Sequence, residues 1–95
     1  MVDVHILASG SDGNCVVVDT GRDAVMIDAG VSYKRIQEFA STAGCDLDRV
    51  RAILVTHEHS DHIKGVPVTS RKLDVPVFCT KGTSTGFKDS DKVQA

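Results

Sequence analysis

The 95-residue sequence has no cysteine pair at C-x-x-C spacing, no long apolar run and no large excess of either charge, and each absence removes a class of protein. Cys15, Cys45 and Cys79 are an odd, widely separated set, which excludes a zinc ribbon or a dithiol redox site. Each reads as a small reduced core residue, and reduced thiols favour a reducing compartment. No segment approaches the roughly 18 apolar residues of a spanning helix. The N-terminus, with Asp3 and His5 in its first residues, lacks the basic and apolar regions of a secretory signal. A cytoplasmic protein without membrane contact is expected. Eleven Lys and Arg against thirteen Asp and Glu give a formal net charge of −2, so the surface as a whole carries no electrostatic footprint for nucleic acid. A local basic groove or a bound divalent cation is then what would attract phosphates. Internal repeats, low-complexity tracts and linkers are also lacking.

What is present is ordinary globular composition, 41% hydrophobic and 25% charged, in a length that admits one compact domain. Val2, Val4, Ile6 and Ala8 alternate with Asp3 and His5, the period-two pattern of a first strand with one buried face. Ser9-Gly10-Ser11-Asp12-Gly13-Asn14 is a turn cluster, and Cys15 to Asp19 is a β-branched run, so the two strands read as a hairpin. A turn at Thr20 to Asp23 leads to a third strand, Ala24 to Asp28, ending at Ala29-Gly30. The period then changes: Ile36, Phe39, Ala40 and Ala43 recur at helical spacing, with Ser32 placed to cap the N-terminus and Gly44 to stop the helix. After Asp46 to Arg49, Val50 to Thr56 holds another buried strand. Ile63 to Leu73 includes a short helix, Pro76 to Cys79 reads as a strand, and Thr83 to Ala95 is polar with no core-forming period and is expected to fray.

The chemistry concentrates in Thr56-His57-Glu58-His59-Ser60-Asp61-His62, directly after a strand. Three of the four histidines lie within six positions, and a solvated loop has no need of that arrangement. In an extended segment His57 and His59 project to one side and can meet one ion. A bend after His59 would carry Asp61 and His62 to a second ion, at the roughly 3.5–4 Å separation of two-metal hydrolases. Imidazole with carboxylate and no thiolate suits zinc, manganese or iron in a catalytic role. Glu58 and Ser60 alternate away from the first two histidines and are expected to be supporting or solvated.

At these residues the chain resembles the metallo-β-lactamase superfamily, whose H-x-H-x-D-H signature is matched by His57, His59, Asp61 and His62. The resemblance implies that His57 and His59 serve one metal ion, that Asp61 and His62 serve a second, and that Asp61 also acts in proton transfer. Asp28-Ala29-Gly30 matches the family's acidic residue at a strand end, implying that Asp28 supports the metal loop through hydrogen bonds; the lesser alternative is a strand-terminal turn residue. The Ser9 to Asn14 segment is similar to the S-G-S-x-G-N of the YycJ/WalJ branch, associated with 5′-to-3′ exonuclease activity on DNA. That similarity implies Ser9, Ser11 and Asn14 as substrate-binding residues. Glycines would let the backbone approach a phosphate held by hydroxyls and free N–H groups. Without a G-K-[ST], the same segment reads equally as a plain hairpin loop, which Asn14 would brace in either case.

The fold implied is α/β (α+β): residues 1–95 as the N-terminal part of a single αββα sandwich, with a mixed, mainly antiparallel sheet and flanking helices. The family completes its site with two further histidines and a bridging aspartate from later segments. No histidine follows His62, His5 reads as a packed or edge residue, and Asp74, Asp89 and Asp91 lack any family motif. A truncated half-domain is therefore expected, pairing with a second copy or a complementary C-terminal half. The complete protein is expected to be a hydrolase with two divalent metal ions, zinc or manganese with iron as a further option, acting on DNA or another phosphodiester. The competing expectation is a non-catalytic metal-binding or assembly module, or an inert core fragment. Low or absent activity is expected of the isolated chain.

Overall fold

The computed structural model describes residues 2–10, 13–56, 63–79 and 93–94. In chain order the elements are β1 (Asp3–Ala8), β2 (Cys15–Asp19), β3 (Ala24–Ile27), helix α1 (Tyr33–Ala43), β4 (Val50–Leu54), helix α2 (Val66–Leu73), β5 (Val77–Phe78) and β6 (Val93–Gln94). The strands form one sheet in sequential order, β1-β2-β3-β4-β5-β6. Tight turns make the first two pairings antiparallel, while α1 and α2 carry the chain back so that β3/β4 and β4/β5 are parallel. The β5/β6 pair is also parallel. Two residues of the polar tail thus join the sheet, contrary to the expectation of a structureless end. Backbone pairing, which hydrophobic periodicity does not report, is what recruits them.

Ladder register assigns the two faces. Val17, Met26, Ile53 and Val77 lie opposite one another in neighbouring strands and are fully buried. Ile36 and Ala40 of α1 and Val66 of α2 join the same core. Burying a side chain such as Met26 or Ile53 contributes about 1.5–3 kcal/mol each. The other face carries Ile6, Val16, Ile27, Leu54 and Phe78 in a continuous cross-strand row. Val4 and Ile6 are 61% and 67% exposed, and no element among the described residues covers them. This corrects the reading of β1: its alternating valine and isoleucine do not turn to the helix-covered core. His5, opposite Val17, and buried Leu7 take that side instead. Alternation separates two faces of a strand but carries no information about which face a helix will cover.

The helices begin and end where their caps dictate. The Ser32 hydroxyl accepts the Arg35 N–H at 3.4 Å, and Gly44 adopts the left-handed conformation at φ 71° that closes α1. Helix α2 starts at Gly65 with proline in its first turn, and Arg71 and Lys72 in its last turn complement the helix dipole. Gly65 is pressed against the loop after β3: its N–H donates to the Ala29 carbonyl at 2.6 Å, and a Cβ there would overlap the Val31 carbonyl oxygen.

At the opposite end of the sheet, buried Asp19 accepts the Gly21 N–H at 2.7 Å and the Arg49 guanidinium at 3.1 Å. The Gly21 bond chiefly, then Arg49 and His5, hold its carboxyl below the usual carboxylate range, against the opposing effect of burial. A depressed folded-state pKa contributes stability that is present above the ordinary carboxylate value of about 4 and is lost as pH falls through the lower folded value. Melting temperatures followed from neutral to strongly acid pH are expected to show a shallower acid limb in Asp19→Asn than in the parent; parallel limbs would refute the assignment. Gly65→Ala is expected to lower stability by about 1–3 kcal/mol or more in urea denaturation, as overpacking against backbone does, and an unchanged midpoint would contradict the close approach.

Candidate functional site

Parallel strands bring their C-terminal ends to one edge, and in open sheets of this kind ligands bind beyond those ends. Three segments converge there: the turn after β1, the loop after β3 and the end of β4. Asp28 follows β3 directly. It is buried and left-handed at φ 62°, a conformation that aspartate tolerates better than most residues. Its N–H donates to the Leu54 carbonyl at 2.8 Å, extending the ladder one residue beyond the strand. Its two carboxylate oxygens both hold Thr56, one accepting the backbone N–H at 2.8 Å and the other the hydroxyl at 2.7 Å. The residue immediately before His57 is therefore gripped at two points by a buried carboxylate. Hydrogen bonds to a charged acceptor contribute about 1.5–3 kcal/mol each.

The turn after β1 lies on the same loop. Gly30 donates its N–H to the Asn14 carbonyl at 2.9 Å. Gly13, at φ 149°, sits where a Cβ would meet the Val31 side chain and, at 2.9 Å, the Gly30 carbonyl oxygen. Asn14 closes the turn on itself: its side-chain oxygen accepts the Gly10 N–H at 3.2 Å and its amide donates to the Gly10 carbonyl at 3.1 Å. Ser9 and Gly10 are exposed at the top of this turn.

Of the site residues singled out from the sequence, the structure brings Asp28, Ser9 and Asn14 to this edge. His57, His59, Asp61 and His62 lie outside the described residues, as do Glu58, Ser60, Ser11, Asp89 and Asp91. Among the described residues no three His, Cys, Asp or Glu side chains could hold a metal ion. His5 sits in the middle of β1 opposite Val17, and Asp74 ends α2; neither lies at the edge with Asp28. Cys15 is packed beneath it. Burial first, then Asp28 and Cys45, push its thiol pKa up to about 12, so it stays protonated as a core residue. Burial also raises the Cys45 and Cys79 thiols. Two residues at this edge to which the sequence assigned no role are Thr56, although it opens the histidine run, and Gly65. A hydroxyl directly after a buried strand signals the first; the second, a glycine within a helical segment, shows its reason only in the packing against Val31.

Residues 8–95 match the family model described as Metallo-beta-lactamase superfamily, to which the chain belongs. Among curated relatives it is 46% identical over 78 residues to the exodeoxyribonuclease YycJ of Bacillus anthracis, covering 82% of this chain and 30% of that protein. It is 39% identical over 85 residues to the exodeoxyribonuclease WalJ of Streptococcus pneumoniae serotype 2, covering 90% of this chain and 32% of that protein. The chain thus spans about a third of the length of these relatives. Its fold superposes on the metallo-β-lactamase SMB-1, solved in a complex with mercaptoacetic acid, with a TM-score of 0.80 at 20% identity, over 97% of this chain and 42% of that one. A B3 metallo-β-lactamase with an active-site glutamic acid gives a TM-score of 0.75 at 22% identity, over 87% and 32% of the respective chains.

Asp28→Ala removes both bonds to Thr56 and places alanine in a left-handed conformation. It is expected to cost about 3 kcal/mol in urea denaturation, and Asp28→Asn less than half as much because asparagine tolerates that backbone and keeps one acceptor. Equal losses in the two variants would show that the clamp on Thr56 is not what Asp28 supplies.

Proposed function

We propose that this chain supplies the metal-binding half of a divalent-metal-dependent exodeoxyribonuclease. The observation that carries the reading is the coincidence of H-x-H-x-D-H with the Ser9 to Asn14 turn and Asp28. Ser9, Asn14 and Asp28 lie at the sheet edge where Thr56 precedes the histidine run, and two relatives named exodeoxyribonuclease match 82% and 90% of this chain. In this reading His57 and His59 hold one ion, and Asp61 and His62 a second. Imidazole and carboxylate donors fit zinc or manganese, with iron a further option, and the protonated Cys15 thiol beneath does not compete. When bound, the ions supply Lewis acidity to a water and to the scissile phosphodiester.

The chain's own residues do the rest. Asp28, held in its ladder, fixes Thr56 and so the starting direction of the run that follows; this is positioning, separate from ligation. Asp61 carries a proton to or from the reacting water. Ser9 and Ser11 offer hydroxyls to a phosphate at this edge, and Asn14 braces the turn that carries them through its two bonds to Gly10. DNA is the proposed substrate, and a reducing, cytoplasmic setting fits the three free thiols.

The row from Ile6 to Phe78 supports a further part of the reading. That apolar face is covered in the working protein by a complementary half or by a second copy. The second reading, a non-catalytic assembly module, is favoured by the same face.

In the protein that carries this chain, Mn²⁺ or Zn²⁺ is expected to support release of nucleotides from an end-labelled DNA. His59→Ala should lower that release by more than the roughly 10–100-fold that outer-sphere partners of a metal site cost, with the melting curve little changed. Metal-independent release, or full activity in His59→Ala, sinks the reading; no release at all leaves the assembly module.

A further inference from the structure

Beside the same edge, between the starts of α1 and α2, lies an open groove of about 370 Å³ lined by Ser32, Tyr33, Lys34, Gln37, Lys64 and Val68. Three properties distinguish it from an ordinary helix–helix crevice. Its floor is apolar, with Tyr33 half-buried and Val68 41% exposed. Its rim carries two exposed lysines, Lys34 and Lys64, and among the described residues neither is in an ion pair and no acidic residue lines the groove. Both helices point their N-terminal ends toward it, and neither has an acidic residue in its first turn to offset the partial positive charge there. In a chain of net charge −2, this is, among the described residues, a local concentration of positive charge over an apolar floor. The groove is also anchored to the proposed active edge, because the Gly65 N–H is bonded to the Ala29 carbonyl one residue after Asp28.

We infer that this groove is a binding site for single-stranded DNA, taking one nucleotide with its backbone phosphate at Lys34 and Lys64 and its base against Tyr33 and Val68. A volume at the lower end of the roughly 300–1,000 Å³ of small-ligand pockets accommodates a single nucleotide unit and no duplex. Lysines beside an aromatic floor are the combination by which proteins hold single strands without reading their sequence. The inference rests on the exonuclease reading for the identity of the polyanion, and it adds where the strand lies next to the cutting site.

Binding is measured without turnover, by fluorescence anisotropy of a short fluorescein-labelled single-stranded oligodeoxynucleotide in EDTA, over a series of salt concentrations. The double variant Lys34→Ala/Lys64→Ala is expected to bind on the order of tenfold more weakly at low salt. Its slope of log K against log[salt] should be shallower by about 0.7 for each phosphate that is no longer neutralised. Val68→Glu, a change at an exposed position, should weaken binding independently, whereas Lys72→Ala, at the far end of α2, should not. Affinity and salt slope unchanged in the double variant overturn the inference; metal-dependent nucleotide release retained by that variant at unaltered KM would then leave the exonuclease reading standing. No binding by the parent overturns it as well, and no nucleotide release in the same preparation takes the exonuclease reading down with it. Competition by polyglutamate as effective as that by the oligonucleotide also overturns it, since the groove would then be sensing charge alone.

Discussion

The grip of Asp28 on Thr56 is the constraint around which this molecule is arranged. A carboxylate in a left-handed turn at the end of β3 joins the end of the neighbouring parallel strand at two points, and does so from a buried position. Every other close approach at that edge serves the same loop. Gly13 comes down on it from the β1–β2 turn, Gly65 comes up to it from the start of α2, and Asn14 ties the turn to itself and to Gly30. Side chains at either glycine would collide with the backbone of residues 30–31. The edge is thus built from backbone packed on backbone.

The sheet divides the chain's chemistry in two. One face, under α1 and α2, is a dense aliphatic core in which even the cysteines behave as hydrophobes, Cys15 most of all, its thiol held protonated by burial and by the Asp28 charge beside it. The other face is also apolar yet exposed, with Val4, Ile6, Leu54 and Phe78 open to solvent among the described residues.

Much of this was legible from residues alone. The first three strands and the caps Ser32 and Gly44 follow from local rules of periodicity, capping and turn chemistry, and the structure has them at those positions. The side that β1 buries was not legible, because Val2, Val4 and Ile6 mark an apolar face without saying what lies over it. Nor was the pairing of Val93–Gln94 with β5, a backbone interaction with no hydrophobic signature. The role of Gly65 escaped for a third reason: glycine in a helical segment reads as a weak helix former until the carbonyl of Val31 is found in the space a Cβ would need.

The sequence by itself determined the types of the main elements before the tail and the family to which the chain belongs, since these depend on residue identity and on spacing within a few positions. Tertiary structure decided what distance along the chain conceals: that residues 28 and 56 share one carboxylate, that the turns at 10–14 and 29–31 are a single packed unit, and that lysines 34 and 64 face one groove. Each of these joins segments well separated along the chain. The antiparallel β1-β2-β3 meander brings the first turn to the loop after β3, and the parallel crossover through α1 returns the chain so that residue 56 reaches residue 28.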